Sequence, residues 1–202
     1  MKLLLATGNA HKARELSGLL AGTGLELLSL KDFPAIPAVV EDGKTLEQNA
    51  VKKALQPALA ARLWTLSDDT GLEVAALGGR PGVHSARYAG PDCDFAANCA
   101  KLLSEMKSVP RAGRQAVFRC VVALSSPEGM VQYREGRLEG RIAEAPAGGE
   151  GFGYDPVFFL PDEGRTLAEL SPEEKNAVSH RAEALRAILP LLKGVARMEP
   201  AR

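Results

Sequence analysis

Short apolar runs alternate with capped helical stretches along most of this chain, and that rhythm leaves few architectures open. Residues 2–6 read as a buried strand and Thr7-Gly8-Asn9 as a turn. Asn9 then caps a helix to about Leu20, with Ala13, Leu16 and Leu20 on its core stripe. Gly22 and Gly24 end that helix, and residues 25–30 form a second strand. Beyond a proline-bearing loop, Thr45 opens a helix to about Arg62, with Gln48 at capping-box spacing and Pro57 as a kink. Further strands are expected at 63–67, 72–77 and 157–160, and a helix at 95–107. Residues 116–125 and 130–139 flank the turn Ser126-Pro127-Glu128-Gly129 as a hairpin. Ser171-Pro172-Glu173-Glu174 is a complete helix start, and Val178, Ala182, Leu185, Leu189 and Leu192 line the last helix. The fold class predicted is α/β, a mixed, twisted sheet flanked by helices. Residues 1–202 are expected to form a single domain burying roughly 70% of its unfolded surface.

Within that frame, Ser67-Asp68-Asp69-Thr70-Gly71-Leu72 carries the most chemistry. Side chains alternate faces along a strand, so neighbouring acids that serve one ligand imply a strand ending before them. Open α/β sheets bind ligands at such ends. Two carboxylates gathered there repel unless a cation holds them, which makes Asp68 and Asp69 candidate metal ligands. The plainer alternative is an exposed Asp-Asp turn. Glu41, in a proline-bounded loop, is either a third metal oxygen or a solvated acid. Oxygen-only ligands favour Mg²⁺, with Mn²⁺ as a substitute, and no Cys/His spacing suits zinc.

Thr7-Gly8-Asn9-Ala10-His11-Lys12 joins the first strand to the first helix. His11, Lys12 and Arg14 crowd a helix start that has no acid before Glu15, where each cation opposes the helix dipole by up to ~1 kcal/mol. A phosphate on the exposed N–H groups would explain them; a solvated basic turn is the alternative. Lys53 shares the apolar stripe of Leu46 and Ala50, either to bring charge to a phosphate or as a snorkelling stem. In the loop Gly148–Pro156, Phe152 and Tyr154 stand among glycines, suited to stacking on a base, and Asp155 to accepting from a ribose or base N–H. Otherwise Phe152 plugs the core beneath a surface loop. Lys175 and His180 lie about 140° apart on a regular helix, so they share a ligand only across a helix end or through an interruption.

Lys+Arg 25 equals Asp+Glu 25, so no global field draws nucleic acid or an anionic membrane, and neither is expected as a partner. Cys93, Cys99 and Cys120 form no CxxC pair and leave an odd thiol, as reduced cysteines do. Met1-Lys2 runs straight into Leu3-Leu4-Leu5, too little for a signal peptide, and no apolar stretch approaches a membrane span. A cytoplasmic protein is expected.

Blocks spread over nearly the whole chain resemble the inosine triphosphate pyrophosphatase, or Ham1-like, family. They are Thr7-Gly8-Asn9-x-x-Lys12, Glu41-x-Gly43-x-Thr45, Asn49-Ala50-x-x-Lys53-Ala54 and Ser67-Asp68-Asp69-Thr70-Gly71-Leu72. Pro81-Gly82-Val83-His84-Ser85-Ala86-Arg87-Tyr88, Gly151-Phe152-Gly153-Tyr154-Asp155-Pro156 and Glu174-Lys175-Asn176-x-x-Ser179-His180-Arg181 follow. The resemblance implies a substrate cleft between a larger and a smaller lobe. It also implies Mg²⁺-dependent hydrolysis of ITP, dITP and XTP to monophosphate and pyrophosphate by a homodimer that cleanses the nucleotide pool. By that resemblance Thr7, Gly8, Asn9, Ala10, His11 and Lys12 hold the triphosphate, aided by Lys53. Glu41 and Asp69 hold the metal, with Asp68 as a further candidate, and Asp69 is also the base. Thr70, Phe152, Gly153, Tyr154, Asp155, Lys175, His180 and Arg181 bind substrate. Gln48 and Leu46 stand where the family usually has Glu and Phe, and Thr70 keeps the hydroxyl of a common Ser.

Overall fold

The computed structural model describes residues 1–198. Strand β1 covers Lys2–Leu5, helix α1 Ala10–Leu19, β2 Glu26–Ser29, α2 Leu46–Ala61, β3 Trp64–Val74 and β4 Pro81–Gly82. Helix α3, Phe95–Glu105, precedes β5 at Gln115–Ser125, β6 at Val131–Ile142, β7 at Phe158–Leu160 and β8 at Arg165–Thr166. Helices α4, Pro172–Val178, and α5, His180–Met198, follow. One sheet takes the order β2-β1-β3-β5-β6-β7-β8, with β4 beside β3. β1 is parallel to β2 and β3, a pairing that requires crossover connections, and α1 and α2 lie in them. β4 pairs antiparallel with β3, and β7 with β6 and β8. The expected mixed α/β sheet is what forms.

Helix starts follow the sequence closely. The Asn9 side chain accepts from the N–H groups of His11 and Lys12 at 2.9 and 3.2 Å. Thr45 Oγ1 accepts from Gln48 N–H at 3.2 Å, but Gln48 Oε1 reaches past Thr45 to the N–H of Lys44 at 2.7 Å. The substituted glutamine therefore still ties down a backbone donor ahead of α2. Ser171 and Glu174 complete their capping box with Pro172 in the first turn.

Two expectations fail. The strand at 63–67 does not stop before the acid pair: β3 runs unbroken through Asp68-Asp69-Thr70-Gly71 and absorbs the first half of the strand expected at 72–77, whose second half is a 3₁₀ turn. Local propensity disfavours Asp and Gly in a strand, but neighbours in the fold neutralise the acids and the pleat persists. The last helix is not continuous either. It breaks at Ser179, whose ψ of 150° is extended, so Val178 and Leu189 are half-buried while Ala182, Leu185, Ile188 and Leu192 form the buried stripe.

The described chain forms two compact units. The first combines Met1–Asp69, Cys120–Gly136 and the chain from Arg181 onward, around a core that includes Leu3, Leu16, Leu66, Val122 and Ile188. The second combines Thr70–Arg119 and Arg137–His180, around Leu72, Leu102, Phe118, Phe158 and Leu167. Among the described residues no helix is long and apolar enough to cross a membrane, and the three cysteines are free.

Candidate active site

In the first unit the loop before α2 and the middle of β3 bring two carboxylates onto one lysine. Lys53, nine-tenths buried on α2, donates from Nζ to Asp69 Oδ1 at 2.7 Å and to Glu41 Oε2 at 3.0 Å. Asn49, one turn earlier, donates to Asp69 Oδ2 at 3.3 Å and accepts the Gly43 N–H at 2.8 Å. A Cβ on Gly43 would press on that Asn49 oxygen, so the bare backbone is what lets the loop close on the helix. Sequence reasoning gave Asn49 no role, although its helical spacing sets it on the inward face with Leu46, Ala50 and Lys53.

Burial pushes the Asp69 carboxyl above the ordinary aspartate range, against the attraction of Lys53 and Lys12. Burial works the same way on Glu41, but there Lys53 wins and the carboxyl is lowered. Desolvation alone would lower Lys53; the Asp69, Asp68 and Glu41 charges raise it instead. The lysine is thus a fixed cation between a carboxyl that is lowered, Glu41, and one that is raised, Asp69.

Asp68 has different company. Its Oδ2 accepts from Lys12 Nζ and Arg181 Nε, both at 3.1 Å, and its side chain is fully buried. Burial would raise its pKa, but Lys12 and Arg181 drive it far below the usual carboxylate range. The strand alternation explains the division: adjacent acids in an unbroken strand face opposite ways, each toward its own cations. Among the described residues no three His, Cys, Asp or Glu side chains converge as a metal cage. Of the expected metal ligands, Glu41 and Asp69 gather on Lys53, while Asp68, the further candidate, lies with Lys12 and Arg181. Two carboxylate oxygens still suit Mg²⁺, which commonly takes one or two carboxylates and completes its shell with water and substrate phosphate.

At the start of α1 the turn Thr7–Lys12 forms as expected, and no acid occupies the first helical turn. Two of the N–H groups proposed for an anion are already capped by Asn9. His11 is exposed and Lys12 is turned inward to Asp68.

The second unit holds the remaining candidates. Thr70 follows Asp69 directly on β3 and is half-buried. Asp155 Oδ2 accepts from Lys175 Nζ at 2.6 Å and from Phe152 N–H at 2.7 Å, folding the glycine loop around a buried ion pair. Lys175 Nζ also lies 4.9 Å from the centroid of the half-buried Phe152 ring, which in turn packs on Phe95. Tyr154 goes into the core, its hydroxyl donating to Ser85 O at 2.9 Å, so of the two aromatics Phe152 is the one that keeps partial exposure. His180, just past the break at Ser179, stacks on Phe118 with centroids 4.6 Å apart. The interruption at Ser179 settles how α4 and α5 are joined between Lys175 and His180.

Gly151 keeps this loop closed. Its φ is 75°, and a Cβ would collide with Asp155 Oδ2. Gly151→Ala is expected to cost about 1–3 kcal/mol in backbone strain, read as a lower urea midpoint; an unchanged midpoint would show that the loop tolerates another path.

Residues 3–191 match the Ham1 family. The chain is 52% identical to a dITP/XTP pyrophosphatase of Geobacillus kaustophilus, over 91% of this chain and 90% of that protein. It is 53% identical to a dITP/XTP pyrophosphatase of Geobacter sulfurreducens, over 91% of this chain and 92% of that one. The solved structure of a HAM1 protein from Coxiella burnetii superposes with a TM-score of 0.87 at 38% identity, covering 96% and 99% of the two chains. With its sheet, its motif blocks and its sequence in agreement over nearly the whole length, the chain belongs to the Ham1 family.

Proposed function

We propose that this chain hydrolyses deaminated purine nucleoside triphosphates, dITP, ITP and XTP, to the monophosphate and pyrophosphate. The observation that carries the proposal is the meeting of Asp69 and Glu41 on Lys53, an arrangement that keeps a buried base, a second hard-oxygen donor and a permanent cation together. The relatives described as dITP/XTP pyrophosphatases supply the substrate class. Glu41 and Asp69 would hold Mg²⁺, or Mn²⁺ in its place, and the bound ion supplies charge neutralisation on the phosphates. Asp69 takes a proton from the water that attacks the α-phosphorus, the bond to the leaving pyrophosphate breaking in line. Lys12 and Lys53 balance the charge of the triphosphate, held at the turn Thr7–Lys12.

In the second unit Phe152 stacks on the purine, Thr70, Gly153 and Asp155 border it, and Lys175 and His180 supply donors. Inosine and xanthosine offer an acceptor oxygen at C6 where adenosine offers an amino donor. Donor facing donor leaves buried groups unpaired, a mismatch that discriminates by about 10⁴–10⁵-fold. The whole chain works as one catalytic domain, as a homodimer in the cytoplasm, removing damaged nucleotides.

Pyrophosphate release across a nucleotide panel tests this. dITP and XTP should exceed dATP by orders of magnitude in kcat/KM, and EDTA should stop the reaction. Equal rates on ATP and ITP would overturn it.

A further inference from the structure

Lys12 and Glu15 are three residues apart on α1, hence neighbours on one helix face. The Arg181 guanidinium, at the start of α5, meets Glu15 through Nη1 and Asp68 through Nε, the latter at 3.1 Å. Asp68 Oδ2 returns to Lys12 Nζ at 3.1 Å. The four side chains therefore form a line of alternating charge, Lys12–Asp68–Arg181–Glu15, that spans α1, β3 and α5 within one unit. It is dry at its centre: side-chain exposure is 1% for Arg181 and 0% for Asp68, rising to 15% for Lys12 and 16% for Glu15.

We infer that Glu15, through Arg181 and Asp68, is a positioning residue that fixes the Lys12 ammonium and the first turn of α1 for the triphosphate. Acids and cations alternate along the line, and only Lys12 belongs to the turn read as the phosphate site. Arg181, buried between two acids, links the Glu15 carboxylate to that of Asp68. Asp68 lends its charge to hold Lys12 in place and leaves the metal to Glu41 and Asp69. The inference rests on the proposed nucleotide hydrolysis.

The test is Glu15→Gln, which keeps the shape at the far end of the line from Lys12 and deletes its charge. KM for dITP is expected to rise roughly 10- to 100-fold with kcat within about twofold, since small misplacements of a charge clamp cost that much. Competitive inhibition by deoxyinosine, which carries no phosphate, should be unchanged. An unchanged KM, or a parallel loss of deoxyinosine inhibition, would overturn the inference, because a merely structural residue weakens both or neither. Wild-type enzyme that released no pyrophosphate from dITP would instead sink the proposed function, and that arm is read separately.

Discussion

Asp69→Asn is expected to lower kcat for pyrophosphate release by about 10²–10⁴-fold, the range typical of a lost general base, while the far-ultraviolet circular dichroism stays that of the wild type. The amide has the shape of the acid and fills the same site beside Lys53 and Asn49. It cannot take a proton from water. The wild-type kcat profile should fall on the acid side as the Asp69 carboxyl takes up a proton, and the variant should lose that limb. Near-full kcat in Asp69→Asn would remove this residue from the chemistry and leave Glu41 as the remaining carboxylate on Lys53.

Asp68→Ala should instead cost stability, about 3–5 kcal/mol, because it strands the Arg181 guanidinium and the Lys12 ammonium around a vacated oxygen. The sign of the pH dependence follows from the depressed pKa of Asp68 in the fold. Its contribution is fully present above the unfolded value near ~3.9 and is lost as the pH falls through the depressed one. Urea unfolding at neutral pH should therefore separate the two proteins widely, and acid should narrow the gap. A loss below about 1 kcal/mol at neutrality would put this pair with ordinary surface ion pairs and contradict its burial.

Much of the fold was legible because its signals are local. Asn9, Thr45 and Ser171 cap their helices through their own side chains, and the Ser126–Met130 turn joins β5 to β6 as its residues foretell. Lys53 was legible as an inward lysine from helix geometry alone. The acid pair was misplaced because its environment comes from far away in sequence. Arg181 lies more than a hundred residues from Asp68, and no window around Asp68-Asp69 contains the cation that lets a strand run through them. Tyr154 was read as a ligand contact on loop composition, but its ring finds core and its hydroxyl finds the Ser85 carbonyl, a partner 69 residues away. The closing of Asn49 on Gly43 was likewise silent, since a buried asparagine announces itself only once both partners are in place.

The kink at Ser179 also makes the final stretch intolerant of length changes. His180 stacks on Phe118 and its immediate successor Arg181 reaches Asp68, so consecutive residues have separate appointments. One inserted alanine just after Ser179 would advance α5 by about 1.5 Å and rotate it by about 100°. The imidazole and the guanidinium, carried along together, would then both miss their neighbours. Substitutions in this segment can be absorbed one contact at a time, whereas a shift in spacing dislocates both at once.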